Sequence, residues 1–264
     1  MGTIYRYAEL RPDQLGHRLE VVPVAIVPWG ALEWHGPHLP FGLDGLVAES
    51  FSQELAARTG AVLLPTTYLP ITALPHPQSI SIGTEVVRGA WHDLLRELGR
   101  AGFRVVCIVS GHYAQGHEIV LAEVADQFSQ HGPTLALAGT PLALLDDPGL
   151  LDHAGRWETS QLLHYRPDLV DLSALPPGSL PPVGQVAVLG DDPRKASTEQ
   201  GRAVVERALE SWAAWIERLL GGQALNALHD LYSARMASYQ AYLDRYYQGS
   251  WEAAIEAWWK ERTG

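Results

Sequence analysis

The 264-residue chain has a single cysteine, Cys107, inside the apolar run RVVCIV. No intrachain disulfide can form, and a thiol in such a run reads as an inert core group rather than a nucleophile. The most apolar stretch, residues 21–32, is short and broken by Pro23 and Pro28, so it cannot span a bilayer. The opening segment, MGTIYRYAELRPDQ, has no secretory apolar region. Arg6 also stands where a myristoylation signal needs Ser or Thr. Positive charge is scarce as well: 19 Lys and Arg face 30 Asp and Glu, for a formal net charge of −11. That balance disfavours contact with phosphate backbones, so neither nucleic acid nor membrane is an expected partner. Internal repeats, heptads and low-complexity segments are absent. A soluble cytoplasmic protein is the expectation. What remains is an ordinary globular composition, 47% hydrophobic and 19% charged, enough for one well-buried domain or at most two small ones.

Along the chain the pattern predicts strands at residues 21–28, 61–65, 104–110 and 134–138, β-branched and apolar with little alternation. It predicts helices at 45–58 (ended by Gly60), 85–100 (with Thr84 as N-cap and Gly102 near the end), 117–130 and 199–220. Strand and helix alternate, which implies an α/β fold with a mostly parallel sheet covered on both faces. Residues 176–193, rich in Pro and Gly, read as a long loop or irregular hairpin. From about Ala224 the chain turns helical and aromatic, with Trp251, Trp258 and Trp259. The expected division is a core at 1–222 and a helical extension at 223–264. The extension packs on the core or on a neighbouring subunit, because aromatics at helical spacing are usually packing groups.

Four segments carry side chains suited to chemistry. In PWGALEWHGPHLPFGLDG, residues 28–45, an extended backbone sends Glu33 and His35 to one face, placed to grip one metal or flank two. The plain alternative is a turn with a hydrogen-bonded histidine. Gly36-Pro37 turns the chain, and His38 follows. Asp44 in isolation reads as a helix N-cap, but beside His35 its two oxygens can bridge two cations. Ser110-Gly111-His112 ends a buried strand, where an open α/β sheet binds its ligands; a surface histidine is the alternative. In DHAGRWETS, His153 and Glu158 are five positions apart, about 140° around a helix, so they do not share a helical face. His153 is therefore placed on a loop, and a helix starting near Arg156 or Trp157 brings in Glu158 from its first turn. A helix-start carboxylate favoured by the dipole is the alternative there. Taken together, Glu33, His35, Asp44, His112 and Glu158 are hard and borderline ligands suited to Zn²⁺, Mn²⁺ or Fe²⁺. Charge balances too: two divalent cations bring four positive charges, three carboxylates cancel three, and a hydroxide cancels the fourth.

The run GALEWHGPHLPFGLDGLVAE resembles the signature of the creatininase (creatinine amidohydrolase) family. SGHYAQG is similar to that family's Gly-His segment, HAGRWETS to its His-Ala-Gly-x-x-Glu-Thr-Ser segment, and GDDPRKASTEQG to a segment near its last core helix. The resemblance spans roughly residues 5 to 215, in order, and leaves out the aromatic tail. It implies a three-layer α/β/α sandwich and a two-metal amide hydrolase that assembles as a homo-oligomer, hexameric or trimer-based. By motif, Glu33, His35, Asp44, His112 and Glu158 become ligands. Asp44 bridges, Glu33 and His112 serve one metal, and His35 and Glu158 the other. His153 becomes the proton shuttle, and His153 and Glu158 form the catalytic pair. The substrate side falls to His38, His76, Gln78, Tyr113 and Trp157, with His76 and Gln78 either facing substrate or simply lying in a loop.

The implied reaction is hydrolysis of a C–N amide bond in a small substrate, a cyclic amide such as creatinine or a formamide. The alternatives are a metallopeptidase-like member and a non-catalytic, metal-stabilised assembly domain. Retention of His153 beside all five ligands argues against the last, since a structural metal needs no shuttle. Three departures bear on substrate. Ala114 stands where creatininase proper carries a Glu, and Gly149-Leu150-Leu151 where it carries a Trp over the substrate. His76-Pro77-Gln78-Ser79-Ile80-Ser81 replaces a His-x-x-Phe-Pro-Gly-Thr segment. The first of these tilts against creatinine itself.

Overall fold

The computed structural model describes residues 2–145, 147–222 and 224–264. Its strands are β1 (Tyr5–Arg6), β2 (Val24–Trp29), β3 (Val62–Leu63), β4 (Val105–Ser110) and β5 (Leu135–Gly139). They form one five-stranded sheet in the order β1-β3-β2-β4-β5, and every pairing is parallel. The two central strands, β2 and β4, are buried at every position. A strand covered on both faces can be apolar throughout, which is why these runs show no alternation.

The first seven helices are α1 (Pro12–Val21), α2 (Leu43–Thr59), α3 (Thr84–Ala101), α4 (Gln115–Gln130), α5 (Arg156–Tyr165), the single turn α6 (Val183–Val186) and α7 (Thr198–Leu220). α2, α5 and α7 pack together, α3 packs on α4, and with the sheet between them they make the expected α/β sandwich. Large aromatics knit the layers. Trp29 lies against Trp91 at 5.5 Å between ring centres, and Phe51 meets Trp212 edge-on at 6.1 Å. Both Trp29 and Trp212 donate their indole N–H to a backbone carbonyl, so neither ring buries an unpaired polar atom.

Close backbone contact brings α2 onto the strand ends. A Cβ on Gly111 would lie 1.9 Å from the Asp44 carbonyl oxygen, and one on Gly30 would lie 2.3 Å from the Gly45 Cα. Only glycine at both positions lets the first turn of α2 sit against the ends of β2 and β4.

Several elements differ from the sequence expectation. Residues 12–21 form α1, where no helix was expected, and β2 starts only at Val24. Pro12 at the first helical position and Gln14, whose side chain accepts the Arg11 N–H, start α1, but no residue of it is buried. Its inner face is only Leu15 and Leu19, half-buried against the core, too short a stripe to stand out in a polar segment. Thr84 is not a cap: it is the first residue of α3, and its N–H and hydroxyl both donate to Glu252 Oε1, at 2.9 and 2.8 Å. Asp44 is not a cap either. Gly42 holds that position and leaves the carboxylate free. Residues 176–193 contain α6 rather than a hairpin.

The rest of the chain forms α8 (Leu225–Ser238), α9 (Gln240–Tyr246) and α10 (Trp251–Thr263); residue 223, where the expected division falls, lies outside the described residues. α8 packs along α4 and covers the edge of the sheet. The Tyr232 hydroxyl donates to the Ala136 carbonyl at 2.7 Å and accepts from the Ala138 N–H at 2.8 Å, while Arg235 donates to the Ala138 carbonyl at 2.8 Å. These side chains supply β5 with partners that a sixth strand would otherwise provide. Among the described residues no helix is long and apolar enough to cross a membrane. Tyr232→Phe strands one buried N–H and one buried carbonyl. It is expected to lower stability by about 1–3 kcal/mol, read from urea unfolding with unchanged slope.

Candidate metal centre and active site

Glu33, His35, Asp44, His112 and Glu158 converge, all at most 2% exposed. They come from three places at the carboxyl edge of the sheet and from the first turn of α5. β2 ends at Trp29, so Glu33 and His35 do not lie on a continuous strand as the extended reading supposed. A loop carries them instead. The Leu32–Ile80 bridge fixes it, and so does the Glu33 N–H, which donates to the Phe41 carbonyl at 2.9 Å.

Asp44 is the hinge of the cluster. Its Oδ1 lies 3.0 Å from His35 Nε2, and its Oδ2 lies 3.1 Å from His112 Nδ1. Glu33 Oε2 is 2.9 Å from the same His112 nitrogen, and Glu158 Oε2 is 3.7 Å from His35 Nε2. Among the described residues, donor atoms lie within 4.8 Å of one another in three groups: two triads that share Asp44, Glu33–Asp44–His112 and His35–Asp44–Glu158, and a third, Glu33–His35–His153. Backbone carbonyls set the rings. His35 Nδ1 bonds to the Glu33 carbonyl and His112 Nε2 to the Ile71 carbonyl, both at 3.0 Å. The opposite nitrogens are thereby turned into the cluster, as a metal-ligating histidine requires.

These residues fit a pair of divalent cations. His35 Nε2, Asp44 Oδ1 and Glu158 Oε1 are buried without a hydrogen-bond partner, although the first two are close together. Close approach without alignment suits two ligands of a common ion and is costly otherwise. With no cation, the cluster draws protons instead. Burial alone would lower His35, but the Asp44 carboxylate, then Glu158 and Glu33, raise it to about 10. His112 is likewise raised, against burial, by Glu33 and then Asp44. Burial pushes the Glu158 carboxyl upward, and His35 only partly offsets this.

His153 sits over this cluster. Its ring stacks on His35 at 4.3 Å, and Nε2 lies 3.0 Å from the Trp34 carbonyl. Its backbone pairs with Leu189 in both directions, at 2.9 and 2.8 Å. Burial, with His35 adding to it, lowers the ring to about 4. Ala154 follows in the left-handed region at φ 51°, and its N–H donates to Glu158 Oε2 at 2.6 Å. A non-glycine residue held there marks backbone that the surrounding contacts determine.

Two supporting residues were not anticipated. Asp152 accepts the Trp157 and Glu158 N–H groups at 2.7 and 3.1 Å, which caps α5 and fixes Glu158. Its signal was available, as an aspartate just ahead of a helix start. His117 lies edge-on to His112 at 4.8 Å. Its Nε2 is 3.2 Å from the Ser110 hydroxyl, and its Nδ1 receives the Ile71 N–H at 3.4 Å. It thus steadies the residue whose carbonyl orients His112, and nothing in the local sequence marks it out.

A cavity of about 400 Å³ opens onto Glu33 and His153. Of the residues assigned to substrate, Tyr113 lines it, while His38, His76, Gln78 and Trp157 do not. His38 is buried with Nε2 3.2 Å from the Thr159 hydroxyl, so it ties its loop to α5. His76 stacks on Trp34 at 4.5 Å and receives the Gln78 N–H, and Trp157 lies under Arg156. The far wall comes instead from Tyr239, Tyr242, Ile255, Trp258 and Arg262. Sequence reasoning treated this tail as packing; helical aromatic spacing looks the same in both roles.

The family model for creatininase, described as creatinine amidohydrolase, matches residues 8–216. The chain belongs to the creatininase family. It is 26% identical over 231 residues to creatinine amidohydrolase of Pseudomonas putida, across 72% of this chain and 87% of that protein. It is 29% identical over 227 residues to the mycofactocin precursor peptide peptidase of Mycolicibacterium smegmatis, across 75% of this chain and 86% of that one. A crystal structure of creatininase shares the fold with a TM-score of 0.70 at 24% identity, over 82% of this chain and 98% of that chain. Solved creatininases include a Mn form and a glutamate-to-glutamine variant of Zn-Zn type. The family match stops before α8, so the tail lies outside it.

Because His35 is raised to about 10 in the metal-free protein, Zn²⁺ must displace protons to bind at pH 7. Zinc titration is expected to release protons, measured by calorimetry in two buffers of different ionisation enthalpy. Affinity should fall as pH is lowered.

Proposed function

We propose that this chain is a binuclear metal-dependent amidohydrolase that cleaves the C–N amide bond of a small substrate, a cyclic amide such as creatinine or a formamide. The observation that carries this reading is the division of Asp44 between two triads, one oxygen toward each histidine. Glu33 and His112 would hold one cation, His35 and Glu158 the other, and Asp44 would serve both. Cations there, of the Zn²⁺ or Mn²⁺ kind, supply a Lewis acid for a carbonyl oxygen and a water of lowered pKa.

The chain's own part centres on His153. Its Nε2–H is committed to the Trp34 carbonyl, which leaves Nδ1 as the basic atom. Burial keeps the ring neutral at pH 7. It can therefore accept a proton from the attacking water and pass it to the departing nitrogen, which leaves poorly as an anion. Stacking on His35 and pairing with Leu189 keep the ring in place while it does so. Glu158 enters through α5, held at its backbone by Asp152 and at its carboxylate by Ala154. Ala114 and Leu151 line the cavity where creatininase proper carries a Glu and a Trp, which favours a substrate other than creatinine. Self-association as a hexameric or trimer-based homo-oligomer belongs to the same reading.

A second reading, cleavage of a peptide, is favoured by the likeness to the mycofactocin precursor peptide peptidase. A hydrolysis screen over cyclic amides, formamides and short peptides with Zn²⁺ or Mn²⁺ separates the two. Sub-stoichiometric metal after supplementation, with no hydrolysis, would overturn both.

Asp44→Asn is expected to abolish binding of both cations together by elemental analysis; loss of one alone would contradict the shared ligand. His153→Ala is expected to keep its metal and lose about 10²- to 10⁴-fold in kcat, measured by steady-state hydrolysis.

A further inference from the structure

The cavity wall opposite the family motifs belongs to α8, α9 and α10, and it carries one charge. Among the described residues Arg262 is the one Lys or Arg that lines the cavity. Its guanidinium lies 4.0 Å over the Trp258 ring. Nη1 makes only long contacts, 3.4 Å to the Tyr246 hydroxyl and 3.4 Å to the Trp258 carbonyl. Among the described residues no carboxylate lies within ion-pair distance of it, whereas the nearby Arg245 is paired with Glu261. The acids that share the cavity are engaged elsewhere. Glu33 sits in the metal cluster, and Asp152 accepts two backbone N–H groups.

The wall is also held in place. Glu252 of α10 takes both donors of Thr84, and Trp259 stands edge-on to Trp34 at 6.5 Å. Thr263 packs on α6, where a Cβ on Gly184 would lie 3.0 Å from it. α6 leads into Leu189, the backbone partner of His153. Arg262 and the shuttle are therefore set by connected parts of one wall. Arg262 is exposed at the cavity rim, and a guanidinium stacked on an aromatic face with no ion-pair partner among the described residues is available to take a carboxylate in forked hydrogen bonds.

We propose that Arg262, supported by Trp258, binds a carboxylate of the substrate. The substrate is then an amide with a carboxylate away from the scissile bond, of the N-formyl or N-acyl amino acid type, not a neutral cyclic amide. This rests on the amidohydrolase reading and narrows it. A peptide presents the same carboxylate at its C-terminus, so the assay includes both.

The full chain, loaded with Zn²⁺ or Mn²⁺, is assayed on N-formyl-L-phenylalanine, on its uncharged amide, and on Ala-Phe and Ala-Phe-amide. The expected result is a kcat/KM preference for the free carboxylate in at least one pair. Arg262→Gln should raise KM for that carboxylate about ten- to a hundredfold, the worth of a charge-assisted hydrogen bond. Arg262→Lys should recover part of the preference. Equal kcat/KM for acid and amide in the native protein overturns the proposal and leaves the amidohydrolase reading standing. So does a variant that weakens both by the same factor. Tryptophan fluorescence of the metal-free protein, titrated with the same acid and amide, gives a second readout. Carboxylate-selective quenching that Arg262→Gln removes supports the anion site even without turnover; the amidohydrolase reading falls separately, if the wider screen of cyclic amides, formamides and peptides also gives no hydrolysis. Absence of both turnover and selective quenching overturns the anion site.

Discussion

The approach of α2 to the strand ends governs the rest of this structure. Gly30 and Gly111 let the backbone of Asp44 and Gly45 come within contact of β2 and β4. That contact sets the Asp44 carboxylate between His35 and His112, closer than a side chain reaching in from a normal helix–sheet distance would come. Any side chain at Gly111 would push the helix outward and break both triads at once. The glycines thus belong to the chemistry of the site as much as its ligands do.

The fold was largely legible in the sequence, because two central parallel strands buried on both faces leave unmistakable apolar runs. α1 was not, since its inner face is only two half-buried leucines, Leu15 and Leu19, in an otherwise polar segment. The convergence of the candidate site was legible for a different reason. Glu33, His35, Asp44, His112 and Glu158 sit in motifs whose glycines, prolines and strand-end positions restrict what the chain can do locally. Residues that act through another residue were harder to see. His117 works through the backbone of Ile71, a contact between segments far apart in the chain. His38 looked like a substrate contact because it sits in the motif, yet the turn at Gly36-Pro37 sends it under the loop and onto Thr159. The cavity wall from the tail was hidden by chemical ambiguity, since one tyrosine or tryptophan serves packing and ligand binding alike.

The electrostatics of the cluster explain why it holds together at all. Three carboxylates in a dry site repel one another unless positive charge is present. In the metal-free chain the two histidines supply that charge by binding protons, so they act as stand-in cations.

The closure of the β5 edge by Tyr232 and Arg235 reaches beyond stability. A parallel sheet with a bare edge invites another copy to extend it strand by strand. Here that edge meets a helix whose side chains have already taken its hydrogen bonds, and the opposite edge is the two-residue β1. Copies of this chain cannot extend the sheet past β5, so an assembly on that side would be built by the surface fit of α8 rather than by strand pairing.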